Sequence, residues 1–396
     1  MEKTPLSPLG VYVHFPWCLQ KCPYCDFYSL ATQRSEIPHA AYADAVIREL
    51  ERRAAELSGY RLRSVFFGGG TPSLWKSEEL GRVLARIRAL FPTEGDVEVT
   101  AECNPSSFDA KKADELGSAG VNRVSLGVQG LDDARLRFLG RLHDAAGGLA
   151  ALRTAVASGI PRVSADLIFG VAGETPDEAT REAQTLAELG PTHLSAYALT
   201  IEPGTEFGSL AKRGRLPLLD DELVARSFEG VERALEAAGF EHYEISNYAR
   251  SGHYAEHNLG TWLGESYLGV GAGAFGTVAL GERVVRYRNA RAAERYVDAA
   301  RDDGAALWSA SPLVSDVEPI DAPTAVTERL MLGLRLASGV DLGRIARETG
   351  GSAWTADRER AAERLVRAGR LEREGEKLRI PRHAWLVADG VIRDLI

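Results

Sequence analysis

Val11-Tyr12-Val13-His14-Phe15-Pro16-Trp17-Cys18-Leu19-Gln20-Lys21-Cys22-Pro23-Tyr24-Cys25-Asp26-Phe27 joins a short β-branched and aromatic run to three cysteines spaced C-x3-C-x2-C. Val11 to Phe15 reads as a strand, which puts the thiols in the loop at its C-terminal end. Three thiols within eight residues suit a metal centre, and two kinds are open. A structural zinc takes four ligands, so a fourth would come from His14, Cys103 or a more distant residue. A [4Fe-4S] cluster is normally held by four thiolates; with three, one iron keeps a position for an outside ligand.

Downstream, apolar strands alternate with amphipathic helices. The spacing predicts a helix over Ile37 to Leu57, then strand Leu62 to Phe67 with helix Ser77 to Leu90, and strand Val97 to Glu102 with helix Asp109 to Ala119. The alternation continues as Arg123 to Val128 with Ala145 to Ser158, Arg162 to Phe169 with Pro176 to Leu189, and His193 to Ile201 with Asp220 to Ala238. Six β-α units imply an α/β fold with a parallel sheet covered by helices, curled into a partial barrel or left open and doubly wound.

Polar features recur at the expected strand ends. Phe67-Gly68-Gly69-Gly70-Thr71-Pro72-Ser73 follows the second strand and offers backbone N–H groups to a ligand. Glu102 ends the third strand, Gln129 the fourth, and Asp166 lies in the fifth. Each alone could cap a helix, but in a β/α barrel these ends share one face, where such folds build sites.

These motifs resemble the radical S-adenosylmethionine (SAM) superfamily, whose signature is C-x3-C-x2-C with an aromatic before the last Cys, here Tyr24 before Cys25. The resemblance implies a partial (β/α)6 barrel and a [4Fe-4S] cluster on Cys18, Cys22 and Cys25. It also implies SAM chelated on the open iron and cleaved to a 5′-deoxyadenosyl radical. Tyr12-Val13-His14-Phe15-Pro16-Trp17-Cys18, the Gly-Gly-Gly-Thr-Pro-Ser segment, Asn122 to Gln129 and Leu139-Gly140-Arg141-Leu142-His143 are similar to one branch, the oxygen-independent coproporphyrinogen III oxidases and the HemW-type haem chaperones. By that similarity Tyr12, Tyr24, Gly69, Gly70, Thr71, Glu102, Gln129, Arg141 and Asp166 match positions that contact SAM, with Arg141 suited to the SAM carboxylate. No residue is given a catalytic role.

Two features turn the resemblance toward the chaperones. The oxidases carry a further Cys two residues after the third cluster Cys, where this chain has Phe27. His257-Asn258-Leu259-Gly260-Thr261-Trp262 resembles the chaperones' H-N-x-x-Y-W segment, with Thr261 in the Tyr position. This implies haem as cargo, with His257 as a candidate axial ligand and Trp262 against the porphyrin. His253 and Tyr254 are alternative ligands, and Cys103 reads as buried filler. The expected partners are haem, a haem-requiring apoprotein that is itself membrane-associated or soluble, and an electron donor for the cluster. The oxidase and a zinc-stabilised interaction protein remain the competing readings.

Composition agrees. The chain has 396 residues, 45% of them apolar, and a net charge of −9, so no overall field favours nucleic acid or an anionic membrane. No signal-peptide pattern or long apolar run is seen, which points to the cytoplasm, where thiols more often bind metal than pair. The expected organisation is a barrel over 1–240, an extension over 241–306 holding His257 to Trp262, a linker over 307–322 punctuated by Pro312 and Pro319, and a small C-terminal winged-helix-like α+β domain over 323–396.

Overall fold

The computed structural model describes residues 6–396. Six β-α units open the chain: β1 Ser7–Phe15, α1 His39–Ala54, β2 Tyr60–Gly69, α2 Ser77–Leu90, β3 Thr93–Cys103, α3 Ala110–Ser118, β4 Arg123–Gln129, α4 Ala145–Ala157, β5 Arg162–Phe169, α5 Pro176–Glu188, β6 His193–Ala198 and α6 Asp221–Ala237. Asp109, Asp144, Thr175 and Asp220 cap α3, α4, α5 and α6 by accepting from backbone N–H groups of the first turn.

β1 to β6 lie side by side in chain order and all pair in parallel. A doubly wound sheet reverses its order at a switch point. This one never reverses, so right-handed crossovers put the helices on one face and the sheet curls around the other. The alternation within strands follows from that. Val97, Val99 and Ala101 join the apolar core under the helices, while Glu98, Thr100 and Glu102 face the opposite way.

Past the sixth unit the chain builds both flanks of the sheet. β7 Glu241–Glu244 and β8 Asn247–Ala249 add antiparallel strands beside β6. α7 Glu256–Trp262 crosses the N-terminal end of the barrel. Beyond it β9 Ser266–Val270 pairs in parallel with β1, and β10 Phe275–Leu280, β11 Arg283–Asn289 and β12 Val314–Ile320 extend that edge. α8 Ala293–Ala299 packs on α1.

The expectation of a linker over 307–322 is corrected here: β12 is hydrogen-bonded to β11 as the outermost strand. Pro319 disguises it, but an edge strand tolerates a missing N–H. Buried Arg53 fixes the segment before it, pairing with Glu49 at 2.7 Å, donating to the Leu307 carbonyl at 2.8 Å and lying under Tyr287 and Trp308.

The C-terminal part has its own core around Leu330, Leu342, Ala362 and Leu378. Its order is α9 Ala322–Gly333, β13 Val340–Asp341, α10 Leu342–Thr349, α11 Ala356–Arg367, β14 Glu372–Glu374, β15 Lys377–Arg379 and α12 Ala388–Leu395. A small antiparallel sheet of strand order β13-β15-β14 with helices α9, α10 and α11 is a winged-helix arrangement, and α12 follows it. It touches both flanks of the large sheet. Glu244 bridges to Leu336 and Arg382 pairs with Glu232 and Glu236 on one side; Arg286 pairs with Glu328 on the other. Among the described residues no helix is long and apolar enough to cross a membrane.

Candidate functional site

The three-cysteine loop is held at its neck. Trp17–Cys18 pairs in parallel with Leu30–Ala31, closing residues 19–29 into a compact loop, and Cys25 N–H donates to the Cys22 carbonyl at 3.1 Å. His14 Nε2 donates to the Tyr28 carbonyl at 2.8 Å, while its Nδ1 accepts from the Tyr12 hydroxyl at 2.8 Å. Burial lowers His14 to about 4, so the ring is neutral and both bonds fix one tautomer.

The thiols face a cavity of about 470 Å³ at the C-terminal ends of the strands. Thr71 Oγ1 lies 3.3 Å from Cys18 Sγ and Arg141 Nη1 3.5 Å from Cys22 Sγ. Burial pushes Cys18 up and Cys25 up to about 11, so these two thiols hold their protons until a metal displaces them. Among the described residues no three His, Cys, Asp or Glu side chains converge on a single-ion site.

Around the same cavity stand Tyr24, Gly69, Gly70, Thr71, Glu102, Gln129, Arg141 and Asp166. Glu102 Oε2 accepts from Gly69 N–H at 3.1 Å, which ties the glycine turn to β3. Burial pushes Glu102 up to about 8, with the charge of Asp166 adding to it. Asp166 rises less, to about 6, because burial is opposed by hydroxyls of Ser195 and Ser125 and by Arg141. Two acids of different strength thus share one wall.

Gln129 is the one non-glycine residue at positive φ, 70°, among the described residues. A register shift between Leu126 and Gln129 accompanies it, and this bulge turns the amide into the cavity instead of along the ladder. Arg141 donates to the Gly127 carbonyl at 2.9 Å, and its buried Nε has no partner. A fixed guanidinium with a spare donor, carboxylates, an amide, exposed glycine backbone and three thiols form the donor set that a three-thiolate cluster and an amino-acid-bearing nucleotide require.

Two expected contacts fall elsewhere. Tyr12 is not among the lining residues: it points into the barrel from β1, half-buried beside Gly68 and bonded to His14. Its bond to His14 supports the cysteine loop. His257 is corrected more strongly, because α7 is driven into the opposite end of the barrel. Its Nδ1 is 3.0 Å from Ser64 Oγ, its ring stacks on Phe66 at 5.1 Å, and burial lowers it to about 4.

Glu98 caps α7 by accepting from the N–H groups of Glu256 and His257 at 3.0 Å and pairs with buried Arg123 at 2.9 Å. Arg123 in turn holds the carbonyls of His253 and Tyr254. His257 is therefore an anchor of a plug, not a presented ligand. Thr261, in the Tyr position of the motif, bonds back to the His257 carbonyl at 3.2 Å. Trp262 lines a cavity of about 270 Å³ together with Arg329 and Arg344 of the C-terminal domain.

Cys103, read as filler, is buried but lines the cluster cavity. Ser125 and Tyr197 also line it and were missed. Their signal was period two: Ser125 lies four residues before Gln129 on β4, and Tyr197 two after Ser195 on β6.

The Radical SAM superfamily matches residues 12–202 and the HemN C-terminal domain residues 320–387. The heme chaperone HemW of Mycobacterium tuberculosis is 36% identical over all of this chain and 97% of its own length. HemW of Escherichia coli is 38% identical over 75% of this chain and 79% of its own. Among solved structures, coproporphyrinogen III oxidase (HemN) of Escherichia coli covers the whole chain and is itself covered over 91% of its length, with a TM-score of 0.80 at 20% identity, a likeness of fold. With the cysteine loop, the glycine turn and the strand-end acids on one cavity and a full-length match above 30%, the chain belongs to the radical SAM superfamily and, within it, to the family of the HemW heme chaperones.

Proposed function

We propose that this protein binds haem and hands it to a haem-requiring apoprotein, with a [4Fe-4S] cluster on Cys18, Cys22 and Cys25 and SAM in the adjoining cavity. The observation that carries the reading is the full-length match to a heme chaperone. Phe27 supports it: the ring is 60% exposed at the mouth of the cluster cavity, where the oxidases of the branch carry a thiol.

Bound there, the cluster and SAM supply one-electron chemistry, and the protein's own task is to hold and shield them. Arg141 and the Gly69–Gly70 backbone receive the carboxylate and amino ends of SAM, Glu102, Gln129 and Asp166 its remaining polar groups, and Tyr24 covers the cluster side. Haem is cargo and occupies a different surface. Trp262 offers an aromatic wall with Arg329 and Arg344 beside it, whereas His257 is committed to Ser64. The proposed setting is the cytoplasm, where all four cysteines stay free. The client is soluble or membrane-associated, and an electron donor serves the cluster.

The test uses anaerobically reconstituted protein given SAM, a reductant and coproporphyrinogen III, with a parallel titration by haem. Tight haem binding, transfer to an apo-haemoprotein and no protoporphyrinogen are expected. Substrate-dependent decarboxylation would replace the chaperone by the oxidase.

A further inference from the structure

We propose that Arg135 and Glu182 are positioning residues for the SAM site, an ion pair behind the cavity that sets where Gln129 and Arg141 stand and so how tightly the SAM carboxylate is held. The proposal rests on the SAM site read above and not on haem delivery.

Gln129 ends β4 and Arg141 follows a short helix over Asp133–Phe138, so the two stand at opposite ends of one excursion of the chain. Both line the cavity, and none of residues 130–140 does. The excursion is tied from outside. Glu182 of α5 accepts from Leu131 N–H at 2.8 Å through Oε2, two residues after Gln129, and its Oε1 accepts from Arg135 Nη2. The Arg135 carbonyl accepts from Leu139 N–H and the Leu136 carbonyl from Arg141 N–H, both at 2.9 Å, so a shift of the Arg135 turn is passed on to Arg141. One carboxylate thus holds both ends.

The pair is nearly buried, with Arg135 11% and Glu182 8% exposed, and the same guanidinium lies 3.8 Å from Glu174 and 3.6 Å from Glu178. Buried Glu174 accepts from the N–H groups of Gly170 and Val171 just past β5, the strand that carries Asp166. Its Oε1, on the Arg135 side, has no hydrogen-bond partner. A single cation among these carboxylates draws the β4 excursion onto the β5 unit. The nearer ties, Arg141 to the Gly127 carbonyl, His143 to the Val128 carbonyl and Asp133 to the Ala145 N–H, stay within the β4 unit. The φ of 70° at Gln129 needs the longer tie, because a strained residue persists only where its surroundings over-determine it.

The experiment titrates SAM and decarboxylated SAM calorimetrically into the anaerobically reconstituted full chain, after assay of iron and sulfide. Wild-type protein prefers SAM; without that preference the Arg141 assignment falls, and the proposal with it. Arg135→Met is expected to weaken SAM about tenfold and decarboxylated SAM about twofold, and Arg135→Lys to restore most of the loss. Glu182→Gln has the same volume, still accepts from Leu131 N–H and carries the test should Arg135→Met not fold. It is expected to weaken SAM as well. This separates position from field, since a through-space effect of charge would make loss of Arg135 weaken the carboxylate and loss of Glu182 strengthen it. Arg82→Met, which breaks an exposed pair between α1 and α2, leaves both affinities alone. With the wild-type preference intact, tighter SAM binding in Glu182→Gln, unchanged SAM affinity in either variant of the pair, or equal losses with the two ligands would overturn the proposal.

Discussion

His14 Nε2 and the carbonyl oxygen of Tyr28, fourteen residues apart, lie 2.8 Å from each other across the neck of the cysteine loop. One buried ring thus connects the barrel interior to the far end of the segment that carries three thiols. His14→Phe keeps the volume and removes the N–H, leaving a buried carbonyl and the Tyr12 hydroxyl without partners. A loss of about 1–3 kcal/mol in urea unfolding of the apo-protein is expected, with faster amide exchange over residues 18–31. Unaltered exchange there would show that the bond does not hold the loop.

Cys18→Ala, Cys22→Ala and Cys25→Ala are each expected to abolish the cluster, since three thiolates are already one fewer than the usual set. Cys103→Ala, although it lines the same cavity, is expected to keep full iron and sulfide. Full cluster content in any of the first three, or its loss in the last, would redraw the ligand set.

Gln129 trades backbone ease for the direction of its amide. Gln129→Gly is expected to raise stability of the apo-protein by about 1 kcal/mol, because glycine adopts a φ of 70° without a Cβ clash. SAM binding, read by calorimetry on reconstituted protein, weakens in the same variant. Opposite movement of the two readings is the signature; parallel movement would mean that the strain serves no ligand.

Glu102 gives a pH dependence whose sign is set by burial. Its folded value of about 8 lies above the ordinary 4.5, so between those values the folded state keeps a proton that the unfolded chain has released. Stability of the apo-protein therefore falls as pH rises from about 4.5 to 8 and levels off above. Asp166, raised by burial to about 6, contributes with the same sign over a narrower window. Glu102→Gln is expected to flatten the decline in thermal midpoint over pH 5 to 8, and an undiminished slope would locate its origin elsewhere.

His257→Ala is expected to destabilise the fold by about 2 kcal/mol or more, through the emptied space against Phe66 and the lost Ser64 bond. Trp262→Ala spares the plug and is expected to weaken haem binding. Equilibrium unfolding and haem titration of both variants separate anchor from contact. Loss of haem affinity in His257→Ala at wild-type stability would restore His257 as a ligand.

The barrel was legible because its signals are local. Arg162–Phe169 and Ser77–Leu90 begin and end where periodicity puts them, and the glycine turn and strand-end acids meet on the cysteines because chain order equals strand order. What was hidden depends on partners far away in sequence. β12 looked like a linker because Pro319 says nothing about which strand lies beside it, and Arg53 reads as one more surface arginine until Leu307, Asn289 and Tyr287 surround it. His257 was misplaced for the same reason: its motif names residue types, while Ser64 and Glu98 of the barrel floor decide which way the ring points.

The large sheet is a hoop with two loose ends, β7 on one side and β12 on the other, and the C-terminal domain holds the first through Leu336 and Arg382 and reaches the second flank at Arg286 of β11 through Glu328. It works as a buckle. The curvature that keeps the thiols facing Glu102 and Asp166 across the cavity is set in part from outside the barrel, by a domain with no residue in that cavity. A chain cut after β12 loses the buckle and the Leu336 bridge that covers the β7 end, and unpaired edges seek other chains. A client that seats itself on the buckle would have a mechanical hold on the distance between cluster and strand-end acids without reaching either.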